Sequence, residues 1–554
     1  MTTHIAEGIG SPAAAPTWLS RENIVAKPGF NRWLVPPAAL AIHLCIGMSY
    51  GLSVFWLPLS RSLSIGQPAT KACPDMSVFT ALFTTTCDWR ISDLVIVFSI
   101  GIVMLGISAA LFGGWLERAG PRKAGIAAAL CWGGGFLIGA FGVYIHQLWL
   151  IWLGMGLIGG IGLGLGYISP VSTLIKWFPD RRGMATGMAI MGFGGGAMIG
   201  SPLADLLINT FKSPTGVGVW ETLAVMGLGY LVFMLGGAFG YRVPPAGWTP
   251  EGWTAPAAKG GMIASGHVHL NDAHKTVQFW LLWLVLCLNV SAGIGVLALA
   301  SPMLQEIFGG GLIDQPGVGL GQLDAAGKTQ VAAIAAGFVG LLSLFNILGR
   351  FFWASMSDKI GRKVTYAIFF GLGVLLYAGA PWAAGLGSTV LFVVFFCAIL
   401  SMYGGGFATI PAYLADVFGT QFVGAIHGRL LTAWSTAGIV GPVVVTAIRQ
   451  QQVDAGLQGL ELYSRTMYVL AAFLAVGFVC NLLVRPVARH WFMSDADVAA
   501  LQTKGGAVPA RAPGSAGIGG GGITITAVAA WAVVGIPIAW GIYKTLSKAA
   551  ILLH

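Results

Sequence analysis

The sequence predicts an all-α membrane protein with two related six-helix halves and one additional helix near the C-terminal end. Three observations predict this fold class: the composition, the number of long apolar runs, and a repeat with a constant offset. Of the 554 residues, 56% are hydrophobic and 9% are charged, whereas soluble domains carry about 25% charged residues. The 82 glycines fit the same class, because small residues let membrane helices approach closely.

The apolar runs are long enough to cross a bilayer, which takes about 20 residues per helix. The predicted runs are 33–59, 93–115, 124–144, 148–175, 184–209, 219–241, 277–307, 329–356, 364–382, 387–415, 428–448, 464–485 and 523–543. They divide the chain into a tail (1–30), a first bundle (31–242), a central loop (243–276), a second bundle (277–486), a polar and glycine-rich linker (487–522) and an additional helix (523–554).

Basic residues are concentrated in alternate loops, which predicts the orientation. The loops after the second, fourth and eighth runs contain Arg118, Arg122 and Lys123, then Lys176, Arg181 and Arg182, then Lys359, Arg362 and Lys363. Cytoplasmic loops carry the excess of Lys and Arg. The sequence therefore predicts a multi-pass protein of a bacterial cell inner membrane with a cytoplasmic N-terminus. The net charge of +10 comes from these basic loops. We therefore do not take it as a sign of nucleic-acid binding, and we expect no nucleic-acid partner.

The loops after the second and eighth runs repeat each other. GGWLERAGPRK (113–123) aligns with ASMSDKIGRK (354–363), so that Glu117 matches Asp358 and Gly120 matches Gly361 at an offset of 241 residues. Pro170 and Pro411 keep the same offset. A six-helix unit has been duplicated in parallel orientation.

The repeated loops have a chemistry of their own. A carboxylate at a helix end can face the positive N-terminus of a neighbouring helix, and glycine allows the tight turn that follows. We interpret the loops as gating latches that hold helices together in one state and release them in another; the alternative is ordinary basic loops. The predicted latch residues are Glu117, Gly120, Arg122, Asp358, Gly361 and Arg362.

Arg350 is a cation within the eighth apolar run. It precedes Asp358 by eight residues, which is about 12 Å along a helix and close to the bilayer midplane. The position 241 residues earlier is Ala109. A cation at this depth is costly unless it is paired or faces water, and an arginine fork can grip a carboxylate with two hydrogen bonds. The alternative is a structural ion pair, for which the candidate partners are Asp205, Glu221 and Asp416.

Several polar or aromatic side chains are predicted to line the same site. Asn346 lies one turn before Arg350 and shares its helix face. Tyr50, Tyr167 and Tyr403 lie inside the first, fourth and tenth runs, where each could line a cavity or pack against lipid or protein. His43 in the first run is a candidate proton carrier, although a satisfied core histidine is the favoured interpretation.

The pattern [GA]-x-x-x-[DE]-[RK]-x-G-x-[RK] in both loops resembles the signature of the major facilitator superfamily. Three segments resemble its oxalate/formate antiporter family, which is related to bacterial lactate and other monocarboxylate transporters: VPPAGWTPEGW (243–253), NILGRFFWASMSDKIGRK (346–363) and HGRLLTAWSTAGIVGP (427–442). The resemblance implies the major facilitator fold, secondary active transport by alternating access, Arg350 as the ligand of the substrate carboxylate, and a substrate contact from Asn346.

Trp434 is a departure from this family. Members that exchange oxalate have a lysine at the corresponding place in the eleventh helix, within a T-A-K type sequence, whereas this chain has LTAWS. Two cations suit a dianion and one suits a monoanion, because uncompensated buried charge is costly. We therefore expect a monocarboxylate such as formate, lactate, pyruvate or acetate as substrate, with oxalate as the alternative. Anion exchange and proton symport both stay open.

Other classes of protein are less compatible with the sequence. It has no Walker motif, no nucleophile and base pair and no metal-ligand spacing, so we expect neither an enzyme nor a metal or other cofactor. A membrane carboxylate sensor is the rival of another class, but the central loop is too short for a signalling domain. A functional monomer is expected. A disulfide between Cys73 and Cys87 is an open question, and the additional C-terminal helix resembles a fused small membrane subunit.

Overall fold

The structure is a computed structural model that describes residues 21–63, 76–245, 247–253, 262–494, 496–498, 500 and 524–549. Thirteen helices in these ranges are long and apolar enough to span a membrane. They are α1 (Arg32–Leu59), α2 (Ile91–Ala119), α3 (Pro121–Tyr144), α4 (Leu148–Trp177), α5 (Arg182–Phe211), α6 (Val219–Gly240), α7 (Val277–Phe308), α8 (Ala325–Ile360), α9 (Arg362–Gly385), α10 (Thr389–Phe418), α11 (Val423–Asp454), α12 (Glu461–Leu483) and α13 (Ile525–Ala549). The predicted fold class is confirmed.

The two six-helix halves meet along two seams that are equivalent in the repeat. At one seam α5 packs against α8, and at the other α11 packs against α2. Each seam depends on a glycine of the repeat that lies against a backbone carbonyl. A Cβ atom on Gly187 would lie 2.9 Å from the carbonyl oxygen of Arg350, and one on Gly428 would lie 2.2 Å from that of Ala109. The close approach of the halves therefore requires glycine at both positions.

Two helices depart from α-helical geometry near the centre of the bundle. Gly47–Phe55 in α1 is a 3₁₀ segment, and Trp152–Ile158 in α4 is a π-helical segment. At the start of the 3₁₀ segment a Cβ atom on Gly47 would lie 2.2 Å from the carbonyl oxygen of Phe193 on α5. The 3₁₀ segment carries Tyr50, so this irregular stretch sets the direction of one predicted site residue.

The repeated loops make identical turns at one end of the bundle, which we call the latch side. Gly120 and Gly361 have φ angles of 88° and 86°. Residues other than glycine rarely adopt this backbone conformation. The start of α1 lies on the same side, where Arg32 forms an ion pair of 2.9 Å with Asp180 in the loop after α4.

Helix α13 packs against both halves of the bundle. Val534 is buried with Leu40 and Leu44 of α1, and the Trp531 indole donates a hydrogen bond of 3.2 Å to the carbonyl oxygen of Trp33. Near its C-terminal end, Thr545 lies against Gly340 of α8. The helix thus bridges a seam between the halves.

Cys87, in the loop before α2, is disulfide-bonded. Cys73, the partner considered from the sequence, lies outside the described residues. The loop also holds Trp89, whose ring stacks on His146 at a centroid distance of 3.9 Å.

Candidate functional site

Arg350 lies at the centre of the bundle and is fully buried. Its Nε donates a hydrogen bond of 3.0 Å to Oδ1 of Asn346, and its Nη1 donates one of 3.2 Å to the carbonyl oxygen of Ile190 on α5. A Cβ atom on Gly194 would lie 2.9 Å from the Nε atom, so a glycine of α5 provides the room for the guanidinium group. Arg350 therefore crosses the α5–α8 seam from one half to the other.

No carboxylate in the described part of the chain forms an ion pair with Arg350. Of the three candidate partners, Asp416 pairs with Arg182 and Arg362, and Asp205 accepts a hydrogen bond of 3.4 Å from Asn209. The Nη2 atom of Arg350 is buried and makes no hydrogen bond within the described ranges. The Tyr50 hydroxyl is a further polar neighbour of Arg350. A buried cation that has no carboxylate partner in the described residues is the main chemical feature of the site.

Aromatic rings surround the guanidinium group. Its Cζ atom lies 5.7 Å from the ring centroid of Phe193 and 5.2 Å from that of Phe407, both within the range of cation–π attraction. We call the set of rings around Arg350 the aromatic box: Tyr50, Tyr167, Phe193, Tyr403, Phe407 and Trp434.

The structure brings all three predicted tyrosines and Trp434 together in this box. The hydroxyl oxygens of Tyr50 and Tyr403 are 3.4 Å apart across the two halves. Trp434 is fully buried, with its ring centroid 4.5 Å from that of Phe407 and 5.2 Å from that of Tyr167. The six residues predicted to bind substrate come from five helices and are close neighbours, with Asn346 and Arg350 on α8 at their centre.

Two more polar atoms of the box are buried without a hydrogen-bond partner in the described part of the chain. They are the hydroxyl group of Tyr167 and the indole Nε1 of Trp434. Together with Nη2 of Arg350 they offer donors from α4, α8 and α11. Buried donors are normally satisfied, so this arrangement fits a site that receives an acceptor, such as a carboxylate, when it is occupied.

His427 is a neighbour of the site that the sequence reasoning missed. It is fully buried on α11, its ring centroid is 5.9 Å from that of Tyr167, and neither ring nitrogen has a hydrogen-bond partner in the described residues. A usable signal was present, because a histidine in an apolar run seven residues before Trp434 lies on the same helix face.

The second latch crosses between the halves. The two carboxylate oxygens of Asp358 accept hydrogen bonds of 2.9 Å each from the backbone N–H groups of Gly183 and Met184 at the start of α5. Arg362 donates to Asp358 at 2.5 Å and to Asp416 at 3.2 Å. A carboxylate at a helix N-terminus satisfies free N–H groups and complements the helix dipole, so these contacts hold α5 and α8 together on the latch side.

The first latch has different partners. Oε1 of Glu117 accepts a hydrogen bond of 2.9 Å from the Ser172 hydroxyl, and Oε2 lies 2.6 Å from Nζ of Lys176 on α4. A Cβ atom on Gly424, in the opposite half, would lie 2.6 Å from Oε1. Glu117 therefore sits at the start of α11, as Asp358 sits at the start of α5.

Arg122 contacts a different helix end from the one that Arg362 contacts. Its Nη2 donates to the carbonyl oxygen of Tyr241 at 3.3 Å. Lys363, 241 residues later, donates in the same way to the carbonyl oxygen of Leu482 at 2.8 Å. The repeat equivalent of Arg122 is thus Lys363, and both anchor the last helix of their own half.

Comparisons with known proteins agree with this architecture. The family model described as Major Facilitator Superfamily matches residues 39–442. An oxalate:formate antiporter of Oxalobacter formigenes is 29% identical over 334 residues, which cover 57% of this chain and 71% of the relative. Apicoplast pyruvate carrier 1 of Toxoplasma gondii is 24% identical over 549 residues, or 86% of this chain and 94% of the relative.

A solved structure with the same fold is that of the E. coli fucose:proton symporter FucP. It has a TM-score of 0.53 at 14% identity and covers 82% of this chain and 100% of its own. The family model spans well over half of the chain, and the helices pack as two six-helix halves. The chain therefore belongs to the Major Facilitator Superfamily and is a transporter, not an enzyme.

Proposed function

We propose that this transporter carries small monocarboxylates, with Arg350 as the group that binds the substrate carboxylate. The observation that carries the proposal is the fully buried guanidinium group with an unpartnered Nη2 and no ion pair in the described residues. A carboxylate in the aromatic box would complete the hydrogen bonds of Arg350 and neutralise its charge. Asn346 supports the site, because its Oδ1 fixes Nε of Arg350 at 3.0 Å.

A monoanion is favoured over a dianion because of Trp434. Arg350 supplies one permanent cation beside the box, and the family resemblance implies that Trp434 stands where the oxalate-exchanging members have their second cation. A second carboxylate of the substrate would be buried without a counter-charge, which costs several kcal/mol. The name of the Toxoplasma relative, a pyruvate carrier, supports a monocarboxylate, whereas that of the Oxalobacter relative keeps oxalate as the alternative.

We propose that transport proceeds by alternating access. Arg350 and Trp434 are fully buried, so substrate reaches the site only when the halves separate on one side. The contacts of Asp358 with the start of α5 hold the latch side closed. Release of both latches would open this side, which we propose to be the cytoplasmic side of a bacterial inner membrane.

The test is counterflow in proteoliposomes loaded with formate, acetate, L-lactate, pyruvate or oxalate. We expect saturable, trans-stimulated uptake of at least one monocarboxylate and a loss of at least about 100-fold in Arg350→Gln, since a charge-assisted bidentate contact is worth roughly 3 kcal/mol or more. Arg118→Gln, the same change at an exposed position of α2, is the matched control. Undiminished uptake by Arg350→Gln would refute the assignment of Arg350. Preferential exchange of oxalate would refute the monoanion argument.

A further inference from the structure

His43 on α1 has an unusual pair of hydrogen-bond partners. Its Nδ1 lies 2.7 Å from the carbonyl oxygen of Ala189 on α5, and its Nε2 lies 3.2 Å from the carbonyl oxygen of Tyr167 on α4. Both partners are backbone oxygens, which only accept hydrogen bonds. The imidazole ring is fully buried, so water does not replace either contact.

Only the protonated ring satisfies both contacts. A neutral imidazole has one N–H and one lone pair, so one nitrogen would direct its lone pair at a carbonyl oxygen. The imidazolium ion donates from both nitrogens, and each of these hydrogen bonds is charge-assisted. Burial alone disfavours the charged ring, which leaves its protonation dependent on other charges nearby.

Arg350 and His43 contact two successive peptide groups of α5. His43 contacts the carbonyl oxygen of Ala189, and Arg350 contacts that of the next residue, Ile190. The charge of Arg350 opposes a second positive charge on His43. A carboxylate bound to Arg350 would cancel this repulsion, so an anion at Arg350 and a proton at His43 would favour each other's binding.

The titratable and charged groups around His43 are few. From α4 the Tyr167 ring packs edge-on at a centroid distance of 5.3 Å, and from α8 Arg350 acts on His43 through its charge. From α11 His427 lies near enough to feel a charge on His43. The contacts described from α5 are backbone atoms and Gly192. An acidic side chain is not among the described groups that face His43, so the compensating negative charge has to come from the substrate.

We propose that His43 is a proton-binding site that is loaded together with the monocarboxylate at Arg350. The inference rests on the proposed function and adds its coupling ion. One proton and one monoanion bind from the same side, cross together and are released together, so the loaded site gains no net charge. The empty transporter returns with neutral His43.

The experiment compares two transport modes in proteoliposomes with formate, acetate, L-lactate and pyruvate as probes. For the wild type we expect counterflow at equal pH and, in addition, accumulation driven by an inward proton gradient. His43→Asn keeps one donor for a carbonyl oxygen but cannot bind a proton. Because it cannot load the proton that favours anion binding, we expect a higher KM for counterflow at equal pH, with counterflow still measurable at saturating acid. Gradient-driven accumulation should be lost, because exchange needs no net proton movement whereas accumulation does. His490→Asn, at an exposed histidine, is the matched control and should keep both modes.

A binding measurement keeps the test decisive if His43→Asn fails to fold. Titration calorimetry of the purified wild type with the same four acids, in phosphate and in Tris buffer, counts the protons bound with the anion. We expect about one, and an apparent affinity that falls about tenfold per pH unit at alkaline pH.

Each outcome decides the question. Counterflow without proton uptake in the wild type, or gradient-driven accumulation that persists in His43→Asn, would overturn the proton site and leave the proposed function intact. Loss of gradient-driven accumulation in His427→Asn but not in His43→Asn would move the site to His427 and overturn this assignment. Absence of counterflow for all four acids would instead refute the proposed function, and this inference with it.

Discussion

The two halves of the bundle have the same backbone at their seams but different chemistry. Gly187 packs on the carbonyl oxygen of Arg350, and Gly428, 241 residues later, packs on that of Ala109. Phe193 and Trp434 are also equivalent, and their ring centroids are 5.3 Å apart. The repeat thus preserves the residues that let the helices approach, whereas the cation occurs once. Packing is therefore shared between the halves, whereas the buried cation that we propose as the substrate ligand belongs to the second half.

The largest expected effect on stability comes from placing an arginine in the first half, at the repeat equivalent of Arg350. Ala109 is fully buried, so Ala109→Arg adds an unpaired charge and should lower the free energy of unfolding by about 3–5 kcal/mol. Arg350→Leu removes a buried cation and should be neutral or stabilising while it abolishes transport. Thermal unfolding in detergent measures both variants. If Ala109→Arg and Arg350→Leu destabilised the protein equally, Arg350 would be a structural residue. The contrast drawn between the two halves would then be wrong.

The next effect separates the two latches. Asp358→Asn removes the charge that binds two N–H groups of α5, so the closing contact should weaken by about 2 kcal/mol. Hydrogen exchange of the amides of Gly183 and Met184 should then accelerate by about 30-fold, since 1.4 kcal/mol is tenfold. Glu117→Gln disrupts contacts with Ser172 and Lys176 on α4 and should leave the exchange of these amides unchanged. A similar acceleration in both variants would contradict the distinction.

The seam glycines give a smaller and graded effect. Gly428→Ala places a methyl group 2.2 Å from a backbone oxygen, whereas Gly187→Ala places one at 2.9 Å. We expect a destabilisation of about 1–3 kcal/mol for Gly428→Ala and less for Gly187→Ala, because overpacking forces the helices apart. Unfolding temperatures measure this order. The reverse order would show that the α2–α11 seam is the more adaptable one.

The smallest effect concerns the turns at the opposite side from the latches. His146 has a φ angle of 53°, and its repeat equivalent Gly387 has one of 70°. Burial lowers the pKa of His146 below its ordinary value, although its contact with the Cys87 carbonyl oxygen and the nearby Asp88 act in the other direction. The folded state therefore prefers the neutral ring, and stability should fall as the pH drops below about 6.5.

His146→Gly should remove this dependence, because glycine does not titrate and adopts the turn freely. The difference between wild type and variant in the change of stability from pH 7.5 to 5.5 should be below about 1 kcal/mol. Unfolding temperatures at both pH values measure it. A wild type that becomes more stable on acidification would contradict the sign of the shift.

Much of the fold could be predicted from the sequence, because a bilayer imposes length and polarity on every run. The end of α7 at Phe308 agrees with the predicted end at 307 within one residue. Arg350 was identifiable because a charge inside an apolar run is conspicuous. Its partner is the carbonyl oxygen of Ile190, which a sequence cannot indicate, because every residue has such an oxygen.

The residues that were missed depend on contacts between distant segments. Asp416 was a candidate partner of Arg350, yet it joins Arg182 and Arg362 on two other helices. Lys176 was counted as a topological charge, yet it pairs with Glu117. His43 was interpreted as a core histidine, and only its two carbonyl neighbours reveal the alternative. In each case the residue type was visible, whereas the partner was set by the three-dimensional packing of the halves.

Helix α13 has a consequence that follows from its covalent attachment. Its residues contact α1 through Val534 and α8 through Thr545, so it occupies one lateral groove of the bundle. A segment of the same chain meets its binding surface at an effective concentration that the linker sets and that the amount of protein does not change. Occupancy of the groove is then independent of expression level, and each transporter molecule has its own copy of the helix. A lipid or a separate small protein that competes for this groove would have to displace α13, which stays close because it is covalently attached.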